Sequence, residues 1–394
     1  MGNFPPGCGV SIFRTPSAPL PVSPSTLPPS RRRDPWLDAV RGVSVVAMVI
    51  GHTLDLTLLD RVRELPLVGL YWSFRGLTAP LFLVVAGWAL ASSLRSARAD
   101  TVGRRLRRAA LVLALGYGLH WPGLSAAQAM AADGTLWPHL LAFDALPCIG
   151  WSIVAGVLLL SLLPRTPGRI GALGVLALWI PFVATVSWPV GLGAGWLWRG
   201  FLGHPEAHFP LVPWSAFFFL GGALALGLQN VLARRHRAMG LLLAGSLLLL
   251  VLEHTGLESW SLASPWPSFY RMGQAMIALG LLSTVPLWRV PGLVSLGRRS
   301  LGVYVAHLVV LYGWAGDAGL VSQWARHLSM IEALGVAALV LAAAVAMAQG
   351  VPNALRWLDE KAAPRWEQPS SEPGGAQIER RPPPPHQRPP GSGG

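Results

Sequence analysis

The chain of 394 residues is 52% hydrophobic and only 12% charged, and its mean hydropathy is +0.47. Because a soluble domain usually carries about 25% charged residues, this composition argues against a soluble protein and indicates an integral membrane protein. The net charge of +13 comes almost entirely from arginines in short clusters between apolar runs, a pattern that indicates membrane topology and argues against nucleic-acid binding.

Both ends of the chain are predicted to be disordered tails. Residues 1–33 are rich in proline and serine, and residues 361–394 are rich in proline, glycine and arginine. Neither segment has enough apolar side chains to offset the entropy cost of ordering. The first tail lacks the apolar core and cleavage pattern of a signal peptide, so none is predicted. Residues 34–360 between the tails form the predicted membrane domain.

Ten apolar runs near 20 residues long are predicted to cross the membrane. Such a run spans a hydrocarbon core of roughly 30 Å at about 1.5 Å per residue, and it must be helical because lipid offers no partner to backbone polar groups. The predicted fold is therefore all-α, a polytopic membrane helix bundle of about ten transmembrane helices. No internal repeat is visible, which disfavours an inverted-repeat transporter. The predicted spans are 36–56, 72–94, 105–121, 138–163, 169–188, 209–228, 238–254, 268–288, 299–316 and 330–350.

Arginine clusters orient this predicted bundle. Every cluster falls on the same side of a ten-span topology, and the gaps on the other side hold few arginines. Cytoplasmic loops carry the excess of positive charge, so this side is predicted to be the cytoplasm, with both termini cytoplasmic. The clustered residues are Arg31, Arg32, Arg33, Arg95, Arg98, Arg104, Arg105, Arg107, Arg108, Arg165, Arg169, Arg234, Arg235, Arg237, Arg289, Arg298, Arg299 and Arg356.

Histidines gather at the opposite, predicted outer side. Histidine is the commonest general base because its pKa is nearest to neutral pH, so one or two of these residues are expected to be catalytic. The alternative for most of them is a polar residue that sits at the interface because it costs little there. The outer histidines are His52, His120, His139, His204, His208, His254 and His327.

The first predicted span carries a polar stripe. Arg41 and His52 are eleven residues apart, which is three helical turns plus about 20°, so both lie on one face and roughly 16 Å apart. Asp38 lies one turn before Arg41, and Asp55 one turn after His52. A polar stripe of this kind should face protein or water. Two readings stay open, a catalytic face or an Asp38–Arg41 ion pair with His52 and Asp55 capping the other end.

Two short motifs in this helix carry a family resemblance. Residues 37–42 (LDAVRG) and 49–52 (VIGH) resemble the opening of the transmembrane acyltransferase superfamily, which includes the acyltransferase type 3 proteins and their Arg-x10-His signature. Later segments are similar to the heparan-α-glucosaminide N-acetyltransferase catalytic-domain-like branch. These are residues 74–87 (FRGLTAPLFLVVAG), 144–150 (DALPCIG), 208–214 (HFPLVPW) with 220–221 (LG), and 296–307 (LGRRSLGVYVAH).

The resemblance implies acyl transfer across a membrane, from a cytoplasmic acyl-CoA, with acetyl-CoA expected, to a glycan or lipid-linked sugar on the outer side. It implies that His52 is the catalytic histidine and that Arg41 holds the donor or organises its path. The eukaryotic enzyme places its active histidine between the first two helices, whereas residues 53–71 contain none. This departure favours the type 3 assignment to His52.

The residues themselves fit such a reaction. Acyl transfer needs a base and donors for the developing oxyanion. His52, oriented by Asp55, is the predicted base. Arg75 is the predicted oxyanion donor, with snorkelling of its guanidinium to the membrane interface as the alternative. The phosphates of coenzyme A suit the basic inner loop, where the predicted ligands Arg104, Arg105, Arg107 and Arg108 have topology as their alternative role.

Further residues are predicted to bind the substrate. They are Asp38, Asp144, His208 and Trp214 together with Arg75. The tryptophans Trp188, Trp196, Trp198 and Trp214 could form a sugar-stacking platform, or an interfacial belt. Acyl-CoA is expected as a co-substrate, with no permanently bound cofactor and no metal.

Two functions remain open from the sequence. The favoured one is a multi-pass acyltransferase of the bacterial inner membrane, in contact with membrane lipid and a glycan or lipid-linked sugar and with no nucleic-acid partner. The alternative is a transporter or permease for a lipid or envelope precursor, because a transporter also needs an intramembrane polar stripe. The sequence does not determine the oligomeric state.

Overall fold

A computed structural model describes residues 34–94, 99–163, 166–186, 200–202, 208–228, 234–253 and 264–362. Most of these residues are helical. The predicted tail 1–33 and residues 363–394 lie outside the described part of the chain, as do Arg95, Arg98, Arg165, His204 and His254.

The first half of the chain contains helices α1 to α9. They are α1 (Pro35–Thr57), α2 (Asp60–Arg63), α3 (Pro66–Arg75), α4 (Thr78–Ser93), α5 (Ala99–Gly118), α6 (Leu124–Ala132), α7 (Leu136–Leu140), α8 (Ala145–Leu162) and α9 (Thr166–Ala184). Asp34 begins α1, because its side chain accepts a hydrogen bond from the amide of Trp36 at 3.0 Å and Pro35 occupies the first helical position.

The second half continues with helices α10 to α16 and one short hairpin. They are α10 (Leu211–Gly227), α11 (Arg234–Leu252), α12 (Trp266–Thr284), α13 (Pro291–Arg298), α14 (Ser300–Tyr312), α15 (Val321–Trp324) and α16 (Met330–Ala362), with a 3-10 turn at Leu287–Arg289. Strands β1 (Gly313–Trp314) and β2 (Asp317–Ala318) pair antiparallel directly after α14.

Five helices among the described residues are long and apolar enough to cross a membrane, namely α1, α8, α9, α11 and residues Met330–Gly350 of α16. A sixth span results if α13 and α14, which are bent by 76° relative to each other, count as one. Helices α4 and α10 are apolar but shorter. The helical fold class is confirmed, whereas the count of ten spans and the cytoplasmic placement of the termini stay predictions.

Two predicted spans are interrupted by prolines. The span 72–94 is split between α3 and α4, and the span 138–163 is split between α7 and α8. Pro80 and Pro147 each stand third in the following helix. A proline ring clashes with the carbonyl four residues earlier, so neither helix extends further back toward its predicted start.

Helices α4 and α10 approach each other through glycines. A methyl group on Gly87 would lie 1.8 Å from the carbonyl oxygen of Phe218, and one on Gly221 would lie 1.9 Å from that of Val84. Only glycine permits such contact between two backbones. Helices α8, α9, α11 and α12 complete this main core, in which Phe217 and Phe218 are buried.

Helix α1 links the main core to a second one. Its first turns, with Trp36 and Val40, pack into the main core. Its later turns, with Val45 and Met48, pack against α14 and α16 in the second core. Polar side chains on α1 therefore face protein over much of the helix.

The backbone beyond α14 fixes the structure around the His52 end of α1. In the hairpin, the amide of Ala315 donates to the carbonyl of Trp121 at 3.2 Å, and the indole of Trp314 donates to the carbonyl of Gly118 at 2.9 Å. The end of α5 is thereby held beside the end of α14. His120, two residues beyond α5, consequently lies at this end of the molecule.

Arg169, one of the arginines predicted to mark the cytoplasmic side, has a structural role. Arg169 at the start of α9 is 6% exposed, and its guanidinium donates to the carbonyl of Leu94 at 3.0 Å and to that of Leu163. These carbonyls end α4 and α8. A cation at a helix C-terminus is favourable, so Arg169 joins three helices.

Candidate functional site

The polar stripe of α1 has two separate ends. At the first, Asp38 is 3% exposed, and its two oxygens lie 3.4 Å from Arg41 and 3.3 Å from Arg298 of α13. A carboxylate this deeply buried needs such charged partners. The predicted substrate-binding residue Asp38 therefore lies within an ion-pair network between α1 and α13.

His52 stands at the other end in a cluster of rings. Its Nδ1 atom lies 3.2 Å from the hydroxyl oxygen of Tyr312. The His52 and His307 ring centroids are 5.5 Å apart, and those of His307 and Tyr304 are 5.4 Å apart, both edge to face. His52 is half-buried, and the other three rings all belong to α14, so the site forms where α1 and α14 pack together.

The protonation of His307 follows from its partner. Its Nδ1 atom lies 3.2 Å from the carbonyl oxygen of Val303, which can only accept, so Nδ1 carries the hydrogen. The side chain is fully buried, and its Nε2 atom has no hydrogen-bond partner among the described residues.

The predicted pairing of Asp55 with His52 is corrected by the structure. The two oxygens of Asp55 accept hydrogen bonds from Arg63 at 2.9 Å and from Arg75 at 2.6 Å. Both guanidinium groups also lie 5.1 Å from the ring centroid of Trp72. Helix α3 folds back beside α1, and two charged guanidinium groups compete more strongly for a carboxylate than an imidazole does. Tyr312, and not Asp55, is the hydrogen-bond partner of His52.

A histidine–carboxylate pair lies between α5 and α8. Nε2 of His120 donates to Oδ2 of Asp144 over 2.7 Å, and the His120 side chain is 13% exposed. The other ring nitrogen, Nδ1, is buried and has no partner among the described residues. Asp144 immediately precedes the apolar helix α8.

The predicted substrate-binding residue His208 lies near this pair. It is exposed, and it is close enough to Asp144 for an electrostatic interaction. The amide of Phe209 donates to the carbonyl of Phe143 at 3.2 Å, which ties the two segments together. His139 also lies nearby, with its ring centroid 6.3 Å from that of His120.

The remaining predicted residues are spread further apart. Trp214 packs at a tilt against Phe209 and Phe217, with ring centroids 4.6 and 5.8 Å apart, so part of its ring belongs to the core. The predicted coenzyme A ligands lie in the first half of α5, whereas His120 follows its last residue. There Arg104 and Arg108 are exposed and Arg105 is half-buried. Trp188, Trp196 and Trp198 lie outside the described residues.

Four functional candidates were missing from the predicted site. They come close to the predicted residues only because α5, α8 and α14 pack together. These candidates are His120, Tyr304, His307 and Tyr312. The family-like motif at residues 296–307 contains Tyr304 and His307, so the sequence did offer a signal for α14. No comparable signal connects His120 to a carboxylate 24 positions later.

The arrangement offers two imidazoles, a tyrosine hydroxyl and two arginines around one end of α1. These groups can move protons and stabilise negative charge, as acyl transfer requires. Among the described residues, no three His, Cys, Asp or Glu side chains are grouped to hold a metal ion.

Comparison with known families assigns the chain. The family model for the type 3 acyltransferase domain matches residues 34–349, which covers most of the sequence and every residue of the candidate site. No curated protein matches the chain at a significant level. The match confirms the wider superfamily and does not extend to the narrower heparan-α-glucosaminide N-acetyltransferase-like branch. This protein belongs to the type 3 acyltransferase family and is a membrane acyltransferase.

Proposed function

We propose that the protein transfers an acetyl group from acetyl-CoA on the cytoplasmic side to a hydroxyl or amine of a glycan or lipid-linked sugar on the outer side. The observation that carries this proposal is the α1 stripe. Arg41 and His52 lie on one face of this helix, about 16 Å apart along its axis. Both are partly buried, Arg41 beside Asp38 and His52 beside the rings of α14. Such a helix connects a donor entrance to an acceptor site.

The donor is proposed to enter at the Arg41 end. Arg41 is held at Asp38, and Arg298 shares the same carboxylate. Arg104, Arg105 and Arg108 are proposed to bind the phosphates of coenzyme A, because guanidinium groups match phosphate oxygens in geometry and charge.

The acceptor is proposed to bind at the His52 end. His52 handles the proton of the reaction, with its ring oriented by Tyr312. Arg75 is held by Asp55, which leaves its other N–H groups as the proposed donors to the oxyanion. Asp144, His208 and Trp214 are the proposed substrate contacts, and Asp38 contributes through Arg41.

The finer topology belongs to the same proposal. Ten spans with both termini in the cytoplasm would place the Arg41 end at the inner face and the His52 end at the outer face of a bacterial inner membrane. The narrower heparan-α-glucosaminide N-acetyltransferase-like assignment rests on the later motifs, and acetyl-CoA serves as a co-substrate without any permanently bound cofactor.

The test uses inverted membrane vesicles that contain the full chain and receive radiolabelled acetyl-CoA. Label should enter the envelope glycan or lipid fraction, and His52→Ala should reduce transfer by at least about 100-fold, as expected for a lost proton-transfer group. His236→Ala is the matched control, because His236 is exposed on α11. Equal transfer by His52→Ala and the parent would contradict the proposed role, and flux of an envelope precursor without acetyl-CoA would favour a transporter.

A further inference from the structure

The His120–Asp144 pair has the geometry of an oriented base. A carboxylate can only accept, so Nε2 of His120 carries the hydrogen that bonds to Oδ2 of Asp144 at 2.7 Å. In a neutral imidazole the opposite nitrogen then has a free lone pair. That nitrogen, Nδ1, is buried and has no hydrogen-bond partner among the described residues. A carboxylate behind a histidine is how hydrolytic triads hold their base in one tautomer.

An unpartnered buried nitrogen is costly. Buried acceptors are almost always hydrogen-bonded in folded proteins, so this nitrogen is expected to have a partner at some stage of function. A substrate hydroxyl or amine can donate to it. The bond to Asp144 also stabilises the positive charge that His120 acquires when it takes a proton.

The pair lies beside the His52 site. Asp144 is close enough to Tyr304 and Tyr312 for electrostatic interaction, and Tyr312 contacts His52. The hairpin after Tyr312 is hydrogen-bonded to the segment that carries His120. Two histidines with separate orienting partners therefore lie around one region.

We propose that His120 is the base that deprotonates the acyl acceptor, with Asp144 as its positioning residue. This inference rests on the proposed function, where His52 alone handles the proton of the reaction. Here the proton transfers are divided between His120 and His52. The acceptor O–H or N–H bond breaks as its proton moves to Nδ1 of His120. The freed electron pair forms a bond to the thioester carbonyl carbon, and the C–S bond breaks with its electrons moving to sulfur.

His52 completes the balance on the donor side. Protonated His52 gives its proton to the sulfur, so the products are the acylated acceptor and coenzyme A thiol. The proton on His120 then restores His52 through the intervening polar groups. The net reaction moves one acyl group and one proton and needs no further reactant.

Hydroxylamine separates the two roles experimentally. It attacks thioesters as a neutral nucleophile and does not need a base to activate it, so it replaces the natural acceptor. Vesicles from the native host, with variants of the full chain, are given radiolabelled acetyl-CoA either alone or with hydroxylamine. Transfer to the envelope fraction and formation of acetohydroxamate are measured, with the KM for acetyl-CoA.

The expected result is selective. His120→Asn lowers envelope transfer by at least about 100-fold and keeps hydroxamate formation within about threefold, with an unchanged KM for acetyl-CoA. His52→Ala loses both activities. Asp144→Asn is at least as harmful as Asp144→Ala, because the asparagine amide donates to Nε2 and forces the wrong tautomer, whereas a purely structural role would favour the isosteric residue. His236→Asn is the matched control and keeps both activities, because His236 is exposed on α11.

Three results would overturn the inference. The first is envelope transfer by His120→Asn within about threefold of the parent. The second is an equal loss of both activities in His120→Asn, which indicates a structural role. The third is a smaller loss of envelope transfer in Asp144→Asn than in Asp144→Ala. A parent protein that forms neither product overturns the proposed function and this inference with it, whereas a fully active His52→Ala variant overturns the role of His52 alone.

Discussion

The Nδ1 atom of His52 on α1 lies 3.2 Å from the hydroxyl oxygen of Tyr312, the last residue of α14. The two residues are 260 positions apart in the chain. This contact orients the imidazole of His52, a role that had been expected of the carboxylate of Asp55.

Tyr312→Phe is expected to lower kcat about fivefold and to leave the KM for acetyl-CoA unchanged. The substitution keeps the ring packing and removes one hydrogen bond, which is worth roughly 1 kcal/mol. Acetyl transfer to the envelope fraction measures the effect, with Tyr270→Phe as a control because Tyr270 packs against the main core. An unchanged kcat would show that Tyr312 does not orient His52.

Asp55→Ala is expected to destabilise the protein by about 1–3 kcal/mol, because Arg63 and Arg75 lose the carboxylate that both contact. Thermal unfolding in detergent measures the change. Asp60→Ala is the matched control, since the Asp60–Arg326 pair is more than half exposed and such pairs contribute about 0–1 kcal/mol. Equal melting temperatures for Asp55→Ala and the parent would contradict the arginine-binding role.

Gly221→Ala is expected to separate α4 from α10 and to lower stability by at least about 1–3 kcal/mol, as overpacked cores do. The new methyl group would meet the carbonyl oxygen of Val84 at 1.9 Å, and a backbone cannot move away as a flexible side chain can. Gly227→Ala on the same helix meets no atom within 4 Å and is the control. Equal melting temperatures for Gly221→Ala and Gly227→Ala would contradict the close packing of α4 against α10.

The helical fold was predictable because its signals are local. A run of apolar residues in lipid must satisfy its own backbone, so composition alone indicated helices, and each predicted span contains one. The starts of α4 and α8 were misplaced, although Pro80 and Pro147 carried the information. The predicted spans followed the apolar content of each segment and did not take account of these helix-breaking prolines.

The sequence by itself determined that Arg41 and His52 share one face of α1, because helical periodicity relates residues within a single segment. Only the tertiary structure decided which groups meet these residues. Asp55 lies one turn from His52 yet binds Arg63 and Arg75. His120 follows α5 and binds Asp144, which immediately precedes α8. Such partners depend on how separate helices pack, and helix packing is set by contacts such as that between Gly221 and Val84, which no local pattern encodes.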